Sequence, residues 1–464
     1  MGENPYQKDK IEVRSGEDFF NGDNGDNGDR QEETPKKGKP KRSAGRYVVA
    51  VLLALACFLL GGATTFLSLD PQIRTLIKVK QAIDGQYYEK IDDETFYRAI
   101  FQTVNEDLLD DYSLYMTAEE FAAQNAAGQG LQIGLGLVFR TQDENGNDCM
   151  FIDRVCGNSP AEAAGIAAGS YVVGFGKTQD SMIESEKFGD FSAFLQEYGE
   201  GEKFYVKLQK GEDVSVKEVA KSQYVENYVF YRTNKSAWRF EGATATTLVE
   251  KGEPLACLDE DTAYLRLTQF NGEAVAEFKG AMKLFQQQNK KNLILDLREN
   301  GGGYLDIMQE ISSYFCKGSN AKKPIVAVAE YQNKKEKYAA TGNWYDDYFK
   351  EDSRVCVLAD GGTASASECL IGCMIDYGVI DYGDICLSER NGTAKTFGKG
   401  IMQTTYPFII GGDAIKLTTA KIVWPISGNC IHGVGILPSD GALTVKENVE
   451  NDAEIAAAVE KLFF

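Results

Sequence analysis

The chain has 464 residues, 43% of them hydrophobic, enough for packed cores and for about three domains at roughly 150 residues each. Its 49 Lys and Arg against 69 Asp and Glu give a formal charge of −20, which argues against a nucleic-acid binder with its basic face. The single histidine, His432, excludes two-His metal sites and pushes any hydrolase toward a different base.

Residues 1–35 are polar and carry the repeat GDNGDNGD. They cannot bury apolar surface, so a disordered tail is expected over 1–46. Its end is basic, with Lys36, Lys37, Lys39, Lys41, Arg42 and Arg46. The run Tyr47 to Leu69 has no charged residue, and as a helix it is about 35 Å long, enough to span the hydrocarbon core. The positive-inside rule then keeps the N-terminus in the cytoplasm and puts 70–464 outside, as a single-pass membrane protein. A cleaved signal peptide is the alternative, with Gly61, Gly62 and Ala63 as the small residues at its cleavage site. Ten cysteines are present, Cys57 in the span and nine beyond it, without C-x-x-C spacing. Cys149 and Cys156 are candidates for pairing across a hairpin. Cys356, Cys369, Cys373 and Cys386 fall in expected core elements, where buried free thiols are the rule.

Residues 70–128 read as a helical region, with Thr117-Ala118-Glu119-Glu120 as a capping box that starts a new helix. Over 129–212 the pattern changes. Gly130, Gly134 and Gly136 punctuate an apolar run, a strand follows at Met150 to Val155, and Asn158 to Ile166 is a short capped helix. Strands at Tyr171 to Phe175 and Phe204 to Leu208 complete a mixed α+β unit. This segment resembles a PDZ domain, although Gly169-Ser170 replaces the usual Gly-Asp. The resemblance makes Ile133, Gly134, Leu135, Gly136 and Leu137 the peptide-binding residues: loop amides for a terminal carboxylate and apolar side chains for the last residue.

Residues 213–464 make up the last domain, and from 240 onward strands and helices alternate, as in an α/β core with parallel strands. Asn292 to Leu297 is a buried strand ending in Arg298-Glu299-Asn300-Gly301-Gly302-Gly303. Val355 to Leu358 runs into Asp360-Gly361-Gly362-Thr363-Ala364-Ser365-Ala366-Ser367-Glu368 and an apolar helix. A serine at such a strand-to-helix turn is exposed in the manner of a nucleophile elbow, and an N-cap serine with small-residue packing fits the same stretch. A serine nucleophile needs a base. Lys399 lies between Gly398 and Gly400, with Gln403 four residues on. A buried lysine with a lowered pKa serves that role, and an exposed turn lysine fits as well.

Taken together, these segments resemble the carboxy-terminal processing peptidases, or tail-specific proteases, from about residue 75 to 445. Asp111-Tyr112-Ser113-Leu114-Tyr115, Ile294 to Gly303, Thr363 to Glu368, Gly398-Lys399-Gly400 with Gln403, Leu417 to Lys421 and Ile431 to Pro438 match the family's motifs. Asp111 and Gly301 stand where the family has proline, and the link from Ser365 to Lys399 is longer than usual. The resemblance implies a serine endopeptidase without metal or cofactor, acting on protein or peptide tails with apolar C-termini. It makes Ser365 the nucleophile, Lys399 the base and Gln403 the residue that positions the lysine. The oxyanion hole falls to the Ala366 amide with Gly302 or Gly303, and His432 is structural. Lys395 is a lower-ranked competitor for the base. The rival readings are a PDZ-containing binding protein with an inactive peptidase domain, and an esterase using Ser365 with His432. Helices at 72–125 and 452–463 leave pairing into a homo-oligomer open.

Overall fold

A computed structural model of the chain describes residues 44–143, 145–242, 246–389, 393–446 and 453–463. The tail expected over 1–46 thus lies outside the described residues as far as 43. Two compact units follow, one reaching Asp92 and one starting at Asp93. The first holds α1 (Ala44–Ser68) and α2 (Pro71–Gln86). Among the described residues, α1 is the one helix long and apolar enough to cross a membrane, by its Val49–Ser68 stretch. Its Thr64 and Thr65 hydroxyls donate back to the carbonyls of Leu60 and Gly61, so they add no unsatisfied polar atom. Asp70 caps α2, its carboxylate accepting from the Gln72 amide at 2.8 Å.

The second unit opens with α3 (Asp93–Thr103). The helical reading of 70–128 fails locally, because Leu114–Met116 forms a strand, β1. Pairing with a distant strand decides this, since Leu114 lies opposite Lys416. α4 (Ala118–Gly128) begins at the expected capping box of Thr117 and Glu120.

Strands β2 (Leu131–Gly134), β3 (Leu137–Gln142), β4 (Asp148–Val155), β5 (Tyr171–Gly176), β6 (Met182–Glu184), β7 (Lys203–Lys210), β8 (Asp213–Ala220) and β9 (Ser222–Val225) come next. β2 and β9 form a two-stranded ribbon. The others make an antiparallel sheet in the order β3-β4-β5-β7-β8, with β6 on β5. α5 (Phe188–Gln196) covers it, and Phe191 packs with Met150, Ile152, Phe175 and Phe204 in its core. Cys149 and Cys156 are unbridged, buried thiols at the two ends of β4, too far apart along one strand to pair.

The larger sheet uses β10 (Val229–Arg232), β11 (Ala237–Glu241), β12 (Thr247–Glu250), β13 (Thr262–Leu267) and β14 (Asn292–Asp296). After β15 (Ile325–Tyr331) and β16 (Lys335–Ala339) it continues with β17 (Val355–Ala359) and β18 (Ile385–Glu389). β19 (Ile401–Pro407), β20 (Ala414–Val423) and β21 (Leu443–Lys446) end the series. The order is β12-β11-β10-β13-β14-β17-β18-β21, parallel from β13 onward. Alternation along β14 and β17 sorts the two faces. Leu293, Leu295, Val355 and Val357 pack with helices α6 (Ala274–Gln287), α7 (Leu305–Ser312) and α8 (Ala366–Asp376). Ile294, Cys356 and Leu358 face α9 (Ala453–Phe463) through Ile455 and Ala458. Fully buried side chains such as Phe278 and Phe285 contribute about 1.5–3 kcal/mol each. The C-terminal helix therefore packs within its own chain. Arg298 fastens it, bridging Asp296 at 2.6 Å and Glu454 at 3.3 Å. β1, β20, β15 and β16 form a second sheet in that order, with β19 on β20.

Candidate active site

β14 and β17 are neighbours in parallel register, so the loops leaving their C-terminal ends, 297–303 and 360–365, emerge side by side. They are then stitched together. Thr363 Oγ1 donates to Leu297 O at 2.8 Å, the Ala364 amide to Asn300 O at 2.9 Å, and Ser367 Oγ to the same carbonyl at 2.9 Å. Asp360 Oδ1 accepts from the amides of Gly362 and Glu299, each at 2.9 Å. On this frame Ser365 takes φ 59° and ψ −114°, a conformation that a side chain-bearing residue adopts only under constraint. Its amide donates to Glu368 Oε2 at 3.0 Å, which holds the turn just before α8.

Gly302 fits against this turn only because it lacks a side chain. A Cβ there would lie 2.8 Å from the Ala366 nitrogen and from Ser365 Cβ. The Gly302 amide is already used, donating to Asn300 Oδ1 at 2.9 Å. The amides of Gly303 and Ala366 donate to no acceptor among the described residues. Gly303 itself bridges Phe270, through Phe270 N to Gly302 O and Tyr304 N to Phe270 O.

The segment 396–400 reaches the same place from the other sheet. Gly398 and Gly400 flank Lys399 where 430–435 passes against them. A Cβ at Gly400 would meet the His432 nitrogen at 2.8 Å, and one at Gly398 the Gly435 nitrogen at 2.8 Å. The single histidine thus contributes close backbone packing beneath the lysine. One cavity of about 1090 Å³ is lined by Ser365, Ala366, Gly302, Gly303, Lys399 and Gln403, so the residues singled out from the sequence converge there. Lys395 is not among its lining residues. Burial lowers the pKa of Lys399, the nearby Lys416 lowers it further, and Asp110 opposes both. A lowered pKa brings the neutral amine, the form of a lysine able to accept a proton, within easier reach.

Two details differ from the sequence-based assignment. Gln403 Nε2 donates to Thr418 Oγ1 at 3.3 Å, and among the described residues no hydrogen bond joins its amide oxygen, the expected acceptor, to Lys399. No hydrogen bond joins Ser365 Oγ and Lys399 Nζ among the described residues. The ammonium stands over the ring of Tyr112, 4.6 Å from its centroid. Catalytic hydrogen bonds are commonly loose without substrate and tighten when it binds.

Glu368 is the residue that sequence reasoning passed over. It is fully buried and raised in pKa by that burial, against four hydrogen bonds that favour its charge. Oε1 accepts from Thr396 Oγ1 at 2.6 Å and the Gly398 amide at 2.8 Å. Oε2 accepts from the amides of Ser365 at 3.0 Å and Lys399 at 2.9 Å. One carboxylate therefore fixes the backbone of both candidate catalytic residues. Its signal was present, as glutamate three residues after the turn serine.

A second cavity, of about 480 Å³, lies between β3 and α5. Leu135, Leu137, Phe139, Phe188, Phe191 and Leu195 give it an apolar floor, and Ile133, Gly134 and Gly136 also line it. β3 pairs with β4 alone among the described strands, so its other edge is open. The amides of Leu135 and Gly136 have no acceptor among the described residues. Gln132 and Gln269 line both this groove and the larger cavity, so the two adjoin.

Residues 261–440 match a family model described as peptidase family S41. A CtpA-like serine protease of Staphylococcus epidermidis is 29% identical over 377 residues, which cover 79% of this chain and 65% of that protein. The carboxy-terminal processing protease CtpB of Bacillus subtilis is 27% identical over 402 residues, covering 82% of this chain and 72% of its own length. The chain thus spans about two thirds of the length of these relatives. Among solved structures, the photosystem II D1 C-terminal processing protease aligns with a TM-score of 0.46 and 22% identity, over 80% of this chain and 86% of that one.

Proposed function

We propose that the chain is a serine endopeptidase of peptidase family S41, in which Ser365 attacks and Lys399 is the general base. The observation that carries this reading is the strained Ser365 turn sharing one cavity with a lysine whose pKa burial lowers. Neutral Lys399 takes the Ser365 Oγ proton as that oxygen bonds to the scissile carbonyl carbon. The carbonyl oxygen becomes an oxyanion, received by the Ala366 and Gly303 amides; the bond of the Gly302 amide to Asn300 favours Gly303 for that role. Lysine then returns the proton to the departing amine. Water, deprotonated by the same lysine, releases the acyl group and restores the serine. The base works only when neutral, so activity rises with pH through the Lys399 pKa, below the ordinary lysine range.

The groove beside β3 supports tail recognition in the manner of a PDZ domain. A substrate C-terminus adds to the open edge of β3, its carboxylate meets the Leu135 and Gly136 amides, and its apolar last side chain enters the groove. The shared wall at Gln132 and Gln269 leads the preceding residues toward the catalytic cavity. The apolar Val49–Ser68 helix, preceded by a basic block, supports a membrane anchor with the peptidase outside the cytoplasm. Full-length protein in detergent, incubated with an unfolded test protein, should cleave it, and Ser365→Ala should not. Equal cleavage by both would remove the serine mechanism, and binding without cleavage by the wild type would favour the binding-protein reading.

A further inference from the structure

The segment Asp110 to Tyr115 stood out in the sequence but has no part in the mechanism above. In the structure it is pinned across the back of the lysine. Thr418 on β20 donates its amide to Ser113 Oγ at 2.8 Å and its hydroxyl to Asp110 Oδ1 at 3.2 Å. Tyr115 donates its hydroxyl to Asp413 at 2.6 Å, and the same carboxylate accepts from the Ala118 amide at 3.0 Å. Leu114 to Met116 complete the attachment as β1 beside β20. Between these anchors Tyr112 is held half-buried, with its ring face under Lys399 Nζ at 4.6 Å.

We propose that Tyr112 is a further catalytic residue, whose ring face stabilises the ammonium that forms on Lys399 when it takes the serine proton. The inference rests on Lys399 being the base. Its logic is differential. A ring quadrupole attracts the cation and is nearly indifferent to the neutral amine, so its effect appears as positive charge develops. The other charged groups around Lys399 are placed differently. Lys416, facing the same cavity from β20, disfavours the ammonium. Asp110 favours it, but its carboxylate is committed to hydrogen bonds from Ser113, Tyr112 and Thr418, which hold it below its ordinary range against the opposing effect of burial. Glu368 binds the Lys399 backbone amide. His432, Lys421 and Glu330 line a separate cavity on the Tyr112 side. Tyr112 is the aromatic face in direct contact with the proton-carrying atom, and three backbone and side-chain anchors keep it there.

The sign of the test follows. The ring raises the Lys399 pKa and opposes burial and Lys416. Removing it should lower that pKa and move the acid limb of the kcat profile to lower pH by about half a unit to one unit. The plateau rate should fall about fivefold, because the ammonium formed in the transition state loses its partner. The experiment compares full-length wild type, Tyr112→Phe, Tyr112→Leu and position 112 carrying phenylalanines of increasing fluorination, in detergent at a series of pH values. Tyr112→Phe should behave as wild type. The limb should step downward with each added fluorine, a series that preserves ring shape and so remains readable if Tyr112→Leu does not fold. A limb that stays put across the fluorinated series would overturn the proposal, even if rates fell, since packing alone does not move it. Lys399→Ala run alongside separates the two ideas: full activity there removes the base assignment itself, whereas a dead Lys399→Ala with an unmoved limb removes only Tyr112.

Discussion

The two cavities are built from the same materials and held in opposite ways. Each is entered by a turn rich in small residues with a positive φ, Ser365 in one and Gly136 in the other. The turn at Ser365 is tied down on every side, to Asn300, Asp360 and above all Glu368, and leaves the Ala366 and Gly303 amides without an acceptor among the described residues. The turn at 134–136 keeps two amides free among the described residues, and Ile133 beside it is 70% exposed. The contrast follows from the work proposed for each. Attack geometry has to be fixed in advance, because misplacement of the nucleophile is lost directly as rate. A strand-adding groove has to leave its backbone groups unsatisfied, because the ligand supplies their partners. The strain at Ser365 persists because bonds from Thr363, Ala364, Ser365 and Ser367 together over-determine the turn.

That comparison is broken most severely at Glu368. Glutamine there has one acceptor oxygen for donors that now use two, and its amide group faces two of those donors. Full-length Glu368→Gln should lose about a hundredfold in kcat, with KM within about twofold, measured on a peptide substrate. Unchanged kcat would mean that the nucleophile and base segments hold their geometry without it. Gly302→Ala comes next. Alanine is strained at the Gly302 φ of +96° and its Cβ has to displace the Ser365 turn, which costs about 1–3 kcal/mol, so kcat should fall at least tenfold and the melting temperature should drop. The groove should respond in KM. Amidating the C-terminus of a substrate with an apolar last residue should raise KM about tenfold, and equal kinetics for both forms would remove tail recognition. This substrate change is cleaner than a bulky residue at Gly136, where a Cβ would lie 2.2 Å from Ser159 Cβ and disturb the turn itself. The smallest effect belongs to His432→Asn. Its neighbours approach through the backbone, so activity should stay within about twofold and the pH profile should not move.

What was legible in the sequence follows the same division. Ser365, Lys399 and the glycine loop at 301–303 sit at strand ends and turns whose local pattern carries the information, and the structure gathers them in one cavity. Strands and helices of the α/β core were readable from alternation and helical spacing for the same reason. Contacts made across the chain were not. Thr418 and Ser113 are 305 residues apart, and nothing local announces that they meet. That long-range pairing turns Leu114–Met116 into a strand inside a segment rich in helix formers. It also takes up the Gln403 side chain, which lies four residues from Lys399 but bonds to Thr418. The difference between Gly302 and Gly303 is not local either, since both glycines look alike until Asn300 takes up one amide. The end helix, whose amphipathic pattern suited a partner chain equally well, is buried against β14 and β17 of its own sheet.

The central claim is that Ser365 and Lys399 act as one unit. Its most direct measurement is the cleavage rate of one substrate by full-length wild type, Ser365→Ala, Lys399→Ala and the double variant, each checked for native melting. Each single variant should lose essentially all activity, and the double should lose little more, because either loss already disables the pair. Lys399→Ala retaining most of the wild-type rate, or losses that multiply in the double variant, would contradict the account.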